Sequence, residues 1–250
     1  MELEYSLLFS TILKMAVIIG IGAFLGRFVP FGGESRKLLV AIIINIALPS
    51  LILNGFLVIE FDRAIMMQMF QVFLFSVLFS SLGMLFALHI SKRSKIHAPK
   101  AKEIAFASAL GNTGLIGIPL CASLFGAKGA VLAALFDAGM GLTLWTLGVI
   151  ILQGNKTFSW QQLKNVVNAP LLATLAGIII ILLPAKPPVF AQELIGSLGS
   201  VASPLAMLYL GLIVMNMVKN KIKVSLAQIA MPILLKLIVF PFIAIVCLNF

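Results

Sequence analysis

The sequence predicts an all-α polytopic membrane protein, built as an inverted five-helix repeat around a broken crossover helix. Three observations carry that prediction. Of 250 residues, 61% are hydrophobic and only 10% are charged, whereas soluble domains carry about 25% charged residues. The apolar residues gather into eight runs of about 20, the length that crosses a hydrocarbon core. Two prolines, Pro49 and Pro204, lie 155 positions apart, each in the middle of such a run.

The runs place spans one to eight at 7–28, 38–58, 67–90, 103–125, 130–152, 166–183, 193–217 and 229–250. Span one is too long for a signal-peptide core, has an acidic flank in Glu2 and Glu4, and lacks a cleavage site, so it reads as a retained helix. Its Gly22 and Gly26 form a GxxxG, which points to close helix packing. Cys121 and Cys247 fall inside spans and read as small buried hydrophobes, without a disulfide or metal role. His89 and His97 have no partner at ligand spacing. The connections are short. The segment 155–164 carries Phe158 and Trp160 among polar residues, as an interfacial stretch would.

The net charge of +10 resides in short loops, which argues for topology and against nucleic-acid binding. Alternate loops hold Arg27, Arg36 and Lys37, then Lys92, Arg93, Lys95, Lys100 and Lys102, then Lys156 and Lys164, then Lys219, Lys221 and Lys223. The opposite loops hold only Arg63, Lys128 and Lys186. That asymmetry places the basic loops in the cytoplasm and the N-terminus outside.

Span starts one and six, and three and eight, repeat the proline offset to within a few residues. The spacing divides the chain into a five-helix repeat, 1–152, and an incomplete second copy, 153–250. Five is odd, so the second copy enters the membrane inverted, a pattern of secondary transporters. Spans four and five would have partners starting near residues 261 and 290. The expectation is therefore ten spans, of which eight are present here. The ninth would carry its own break, and a second protomer in a homodimer is the other way to cover the site.

Span four contains the most unusual stretch, Ser108 to Gly126. Gly111, Asn112, Thr113, Gly114, Gly117 and Pro119 fall within nine residues. Pro119 lacks an N–H and collides with the carbonyl of Leu115, and the glycines ease unwinding. Backbone groups freed in hydrocarbon must face protein or a wet cavity. A break here, with the second half-helix starting near Gly117 to Pro119, offers N–H groups and a positive helix end to a carboxylate. Asn112 adds an amide with donors and an acceptor, and Thr113 and Gly114 line the gap. The plainer reading is a packed proline kink with Asn112 in an interhelical hydrogen bond.

Asp137 is the single acid inside any span beyond its first residue, about 10 Å into span five at 1.5 Å per residue. A protonatable acid there suits ion coupling. Gly141, Trp145 and Gly148 share its face at helical spacing. A neutral Asp137 bonded to a neighbour, or paired with Lys14, is the alternative. Lys14 can snorkel. Lys236, beside Pro241, is a second coupling candidate. Gly111, Pro49, Pro119, Pro204 and Pro241 are the expected breaks or hinges.

GNTGLIGIPL, LFGAKGA, Asp137 and WTLG at 145–148 together resemble the auxin efflux carrier family of membrane permeases. So do NIALPSLIL, VASPLAML and LLKLIVFP. The resemblance covers most of the chain and is most specific at 111–148. It implies ten helices in two inverted repeats, with helices four and nine broken and crossing at the midplane. Spans one, two, six and seven would form a scaffold and the others a mobile core. It further implies transport of small organic anions such as dicarboxylates across the cell membrane, with H+ or Na+ as coupling ion and Asn112 as the crossover asparagine. No HExxH, GxSxG, P-loop or GxGxxG motif is present, so neither an enzyme nor a cofactor is expected. A non-transporting membrane receptor, or an inactive truncated permease, is the rival reading.

Overall fold

The computed structural model describes residues 5–60, 62–94, 96–153, 167–183, 187–221 and 226–248. The 155–164 stretch with Trp160, and the side chain of Cys247, lie outside the described residues. All the regular structure described is helical. Span one is Tyr5–Phe28, span two Gly33–Val58, span three Arg63–Arg93, span six Ala169–Leu182 and span seven Val189–Lys219. Span eight covers 226–248. Among the described residues, five helical runs are long and apolar enough to cross a membrane, and the chain is an all-α polytopic membrane protein.

Spans four and five form one helical run, Ala98–Leu152, folded at Gly126. Gly126 has φ +63°, a value that residues with a Cβ rarely adopt. A Cβ on Gly129 would meet the Cys121 carbonyl and would lie 2.7 Å from Phe125 Cβ. In an unbroken helix, residues eight apart are separated by about 12 Å. The chain therefore doubles back at Gly126, where the hydropathy pattern divides spans four and five.

Several helices start earlier than their apolar runs, because polar caps set their ends. Gly32 N–H donates to Ser35 Oγ at 3.1 Å at the head of span two. Ile65 N–H donates to Asp62 Oδ1 at 2.6 Å at span three. Span six instead starts later than its apolar run, at Ala169, where Leu171 N–H donates to Asn168 Oδ1 at 2.9 Å and Pro170 stands in the first turn.

Among the described residues, four turns widen to i→i+5 bonding: Ile43–Ala47, Thr113–Gly117, Leu144–Gly148 and Leu235–Val239. Three of them end two residues before a proline: Pro49, Pro119 and Pro241. The carbonyls these prolines cannot bond are those of Asn45, Leu115 and Leu237, each in the middle of a wide turn. Widening moves the carbonyl away from the ring and keeps the helix continuous. Pro204 works differently. Span seven is interrupted at Val201, and Pro204 sits in the first turn of its second part, Ala202–Lys219.

The chain forms two compact units. One comprises Met1–Met69, Asn112–Leu135 and Asn168–Ile222. Its core gathers Ile43, Leu48, Ile52, Phe56, Ile118, Val131 and Tyr209. Glycines let its helices approach: Gly22 faces the Leu208 backbone, Gly211 the backbone of Ile19 and Ala23, and Gly199 that of Leu51. Between membrane helices, close van der Waals contact of this kind replaces the hydrophobic drive. Spans one, two, six and seven all fall in this unit. It also takes the second half of span four and the start of span five, which the resemblance does not imply.

The other unit comprises Phe70–Gly111, Phe136–Val167 and Lys223–Phe250. Met84, Ala87, Ala105, Leu235 and Phe240 form its core, with the Phe79 and Phe240 rings edge to face at 5.9 Å. Its polar seam runs between spans three and five. Ser76 Oγ donates to the Phe136 carbonyl, Thr143 Oγ1 to the Val77 carbonyl at 3.4 Å, and the Ser81 and Thr143 hydroxyls lie 3.3 Å apart.

Candidate functional site

Span four is broken, at a position slightly different from the one expected. Its first half, Ala98–Ala109, ends at Leu110, whose ψ of 133° is extended. Asn112 has φ −92° and ψ 66°, and the second half begins at Thr113. The gap is therefore Leu110, Gly111 and Asn112. Pro119 is not the break: the helix runs through it, because the wide turn Thr113–Gly117 relieves its clash. The second half-helix starts about one turn earlier than Gly117 to Pro119.

Asn112 heads the second half as its cap. Leu115 N–H donates to Asn112 Oδ1 at 3.3 Å, and the Asn112 carbonyl accepts from the N–H groups of Ile116 at 3.1 Å and Gly117 at 3.3 Å. Asn112 and Gly111 are exposed. The leading N–H groups of the turn, that of Gly114 among them, emerge at this end with the positive pole of the helix. A Cβ on Gly117 would lie 2.9 Å from Thr113 Cγ2, so a larger residue there would press on the Thr113 side chain. Pro119 is buried, and its carbonyl accepts from Ser123 Oγ at 2.9 Å and Ser203 Oγ at 3.2 Å. These hydroxyls fix the second half-helix behind Asn112. Sequence reading missed Ser203, although a serine beside a mid-span proline is a natural donor to freed carbonyls.

The end of the first half-helix belongs to the other unit. Lys236 Nζ donates to the Leu110 carbonyl at 2.6 Å and the Ala107 carbonyl at 3.4 Å. Gly111 N–H points to Met140 Sδ at 3.3 Å. A groove of about 690 Å³ runs between this half-helix and span eight, walled by Glu103, Ala107, Ile233, Lys236 and Leu237.

Asp137 is half-buried, one residue beyond the carbonyl that Ser76 holds. The face expected for it does not persist along span five. The wide turn Leu144–Gly148 rotates less per residue and sets the phase back, and Gly148 packs on the Phe106 ring and Met84 Cε while Gly141 has no neighbour within 4 Å of a Cβ. Lys14, His89 and His97 are exposed, and Cys121 is a half-buried free thiol. Among the described residues no cluster of three or more His, Cys, Asp or Glu could hold a metal.

A broken apolar helix capped at both ends within a multi-helix bundle is transporter architecture. The sequence profile described as membrane transport protein matches residues 7–162 and 157–249. The chain belongs to the membrane transport protein family. This agrees with the auxin efflux carrier likeness read from span four. An uncharacterized transporter of Methanothermobacter thermautotrophicus is 28% identical over 203 residues, covering 81% of this chain and 66% of the relative. One of Methanocaldococcus jannaschii is 28% identical over 213 residues, covering 80% of this chain and 67% of the relative. The chain thus spans about two thirds of the length of these curated relatives. No solved structure matches it.

Proposed function

We propose that the chain acts as a secondary permease of small organic anions, dicarboxylates in particular, across the cell membrane. The observation that carries this is the gap at Leu110 to Asn112, with Asn112 exposed at the head of a half-helix. A substrate carboxylate is received by the Asn112 amide and the N–H groups at Thr113 and Gly114, where the helix end supplies roughly half a positive charge. Gly117 and Pro119 shape the turn behind it. Asp137 supplies a protonatable carboxyl for coupling to an ion gradient, with Na+ as the other candidate ion. The same reading keeps the N-terminus outside and takes 1–152 and 153–250 as inverted copies. Membership of a transport family supports it.

The test is titration of the purified chain with malonate, followed by thermal shift and tryptophan fluorescence. A hydrogen bond to a charged group contributes about 1.5–3 kcal/mol, so Asn112→Ala should weaken binding about 10- to 100-fold. Leu142→Ala, on a face of span five away from Asp137, should leave binding unchanged. Equal behaviour of the two variants would place the site elsewhere.

A further inference from the structure

A half-helix that ends at membrane depth presents unsatisfied carbonyls and roughly half a negative charge. Hydrocarbon offers them no water. They must meet a donor, or a cation of the kind that carbonyl rings hold in ion-conducting proteins. The first half of span four ends in this way, and its Ala107 and Leu110 carbonyls converge on one group, the Lys236 ammonium. The contact is built in. Lys236 projects from the wide turn Leu235–Val239, whose flanking Leu235 and Phe240 are 2% and 4% exposed and packed into the core of their unit. That turn ends two residues before Pro241.

We propose that Lys236 is a tethered cation, a positioning residue that neutralises the end of the first half-helix and occupies the place an alkali-metal ion would otherwise take. The consequence for transport rests on the permease reading: sodium has no coupling site at this end of the break, and a gradient acts through a protonatable group instead. The capping itself does not depend on that reading.

The purified chain is melted in detergent in NaCl and in choline chloride at equal ionic strength. The wild-type melting temperature should be the same in both salts. Lys236→Met fills the space without charge and should melt several degrees lower in both. Lys236→Ala leaves room for an ion. It should melt low in choline and recover at least half of the loss in NaCl. Lys236→Arg keeps the charge and should stay within a degree or two of wild type. The proposal is overturned if sodium stabilises the wild type, if Lys236→Met melts with the wild type, or if Lys236→Ala folds but ignores sodium. If Lys236→Ala yields no folded protein, the other pair decides. A folded Lys236→Arg beside a lost or low-melting Lys236→Met supports a charge cap, and equal behaviour of the two overturns it. No substrate is present, so the outcome is independent of the malonate titration.

Discussion

Gly20 and Gly22 are two residues apart in span one and make opposite contacts. A Cβ on Gly20 would have no heavy atom within 4 Å. A Cβ on Gly22 would strike the Leu208 carbonyl oxygen and lie 2.9 Å from Leu208 Cα and 3.0 Å from its carbonyl carbon. These are backbone atoms of span seven and cannot rotate away. To recover ordinary contact the two helices must part by roughly half an ångström to an ångström. That would also loosen Gly211 from the Ile19 and Ala23 backbone on the same seam. Overpacking of this kind costs about 1–3 kcal/mol. Gly→Ala also raises helix propensity by about 1 kcal/mol, but this gain is common to both positions and cancels in the difference. For a chain of this size 1 kcal/mol corresponds to about 2–4 °C. Gly22→Ala should therefore melt roughly 2 to 12 °C below Gly20→Ala in the same detergent. Coincident melting curves would refute the close crossing of spans one and seven.

Three further outcomes follow from other residues. Gly117→Ala should cost about 1–3 kcal/mol of stability by pressing on the Thr113 methyl, and Thr113→Ser should restore part of it; strictly additive losses in the double variant would show that the two do not touch. Asp137→Asn should abolish gradient-driven accumulation while sparing substrate exchange, and an unchanged pH dependence of uptake would remove Asp137 from coupling. In intact cells, Lys128→Cys should react with an impermeant maleimide and Lys100→Cys should not; the reverse pattern would invert the topology.

Hydropathy found the long apolar helices among the described residues because it measures what hydrocarbon requires, a run of apolar side chains of fixed length. It placed helix ends less well, for a physical reason. Span two begins at Gly33 instead of 38 because its first turn is held by the reciprocal Gly32 and Ser35 bonds and an exposed Lys37–Glu34 pair at 3.2 Å. Span three begins at Arg63 because Asp62 caps it. These are polar groups at the membrane surface, invisible to an apolar count. The partners of Lys236 were equally hidden. Its acceptors are backbone carbonyls 126 and 129 residues away, and a carbonyl carries no sequence signature.

The prolines show where legibility ends within span four itself. A proline in an apolar run announces a lost hydrogen bond, and the residue four before it names the carbonyl affected. It does not say whether the helix breaks or widens. At Pro49, Pro119 and Pro241 the helix widens and continues. At Leu144–Gly148 it widens with no proline near. What breaks span four is the run Leu110, Gly111 and Asn112, where an extended residue, a glycine and a capping asparagine each favour leaving the helix. Asn112 is thus identified by two independent roles, ending one geometry and starting the next. Its carbonyl and its side-chain oxygen both accept from the second half-helix. The proposed carboxylate site rests on this polarity: the acceptors of Asn112 turn back into the second half-helix, and the leading N–H groups of that half-helix lie at its outer end.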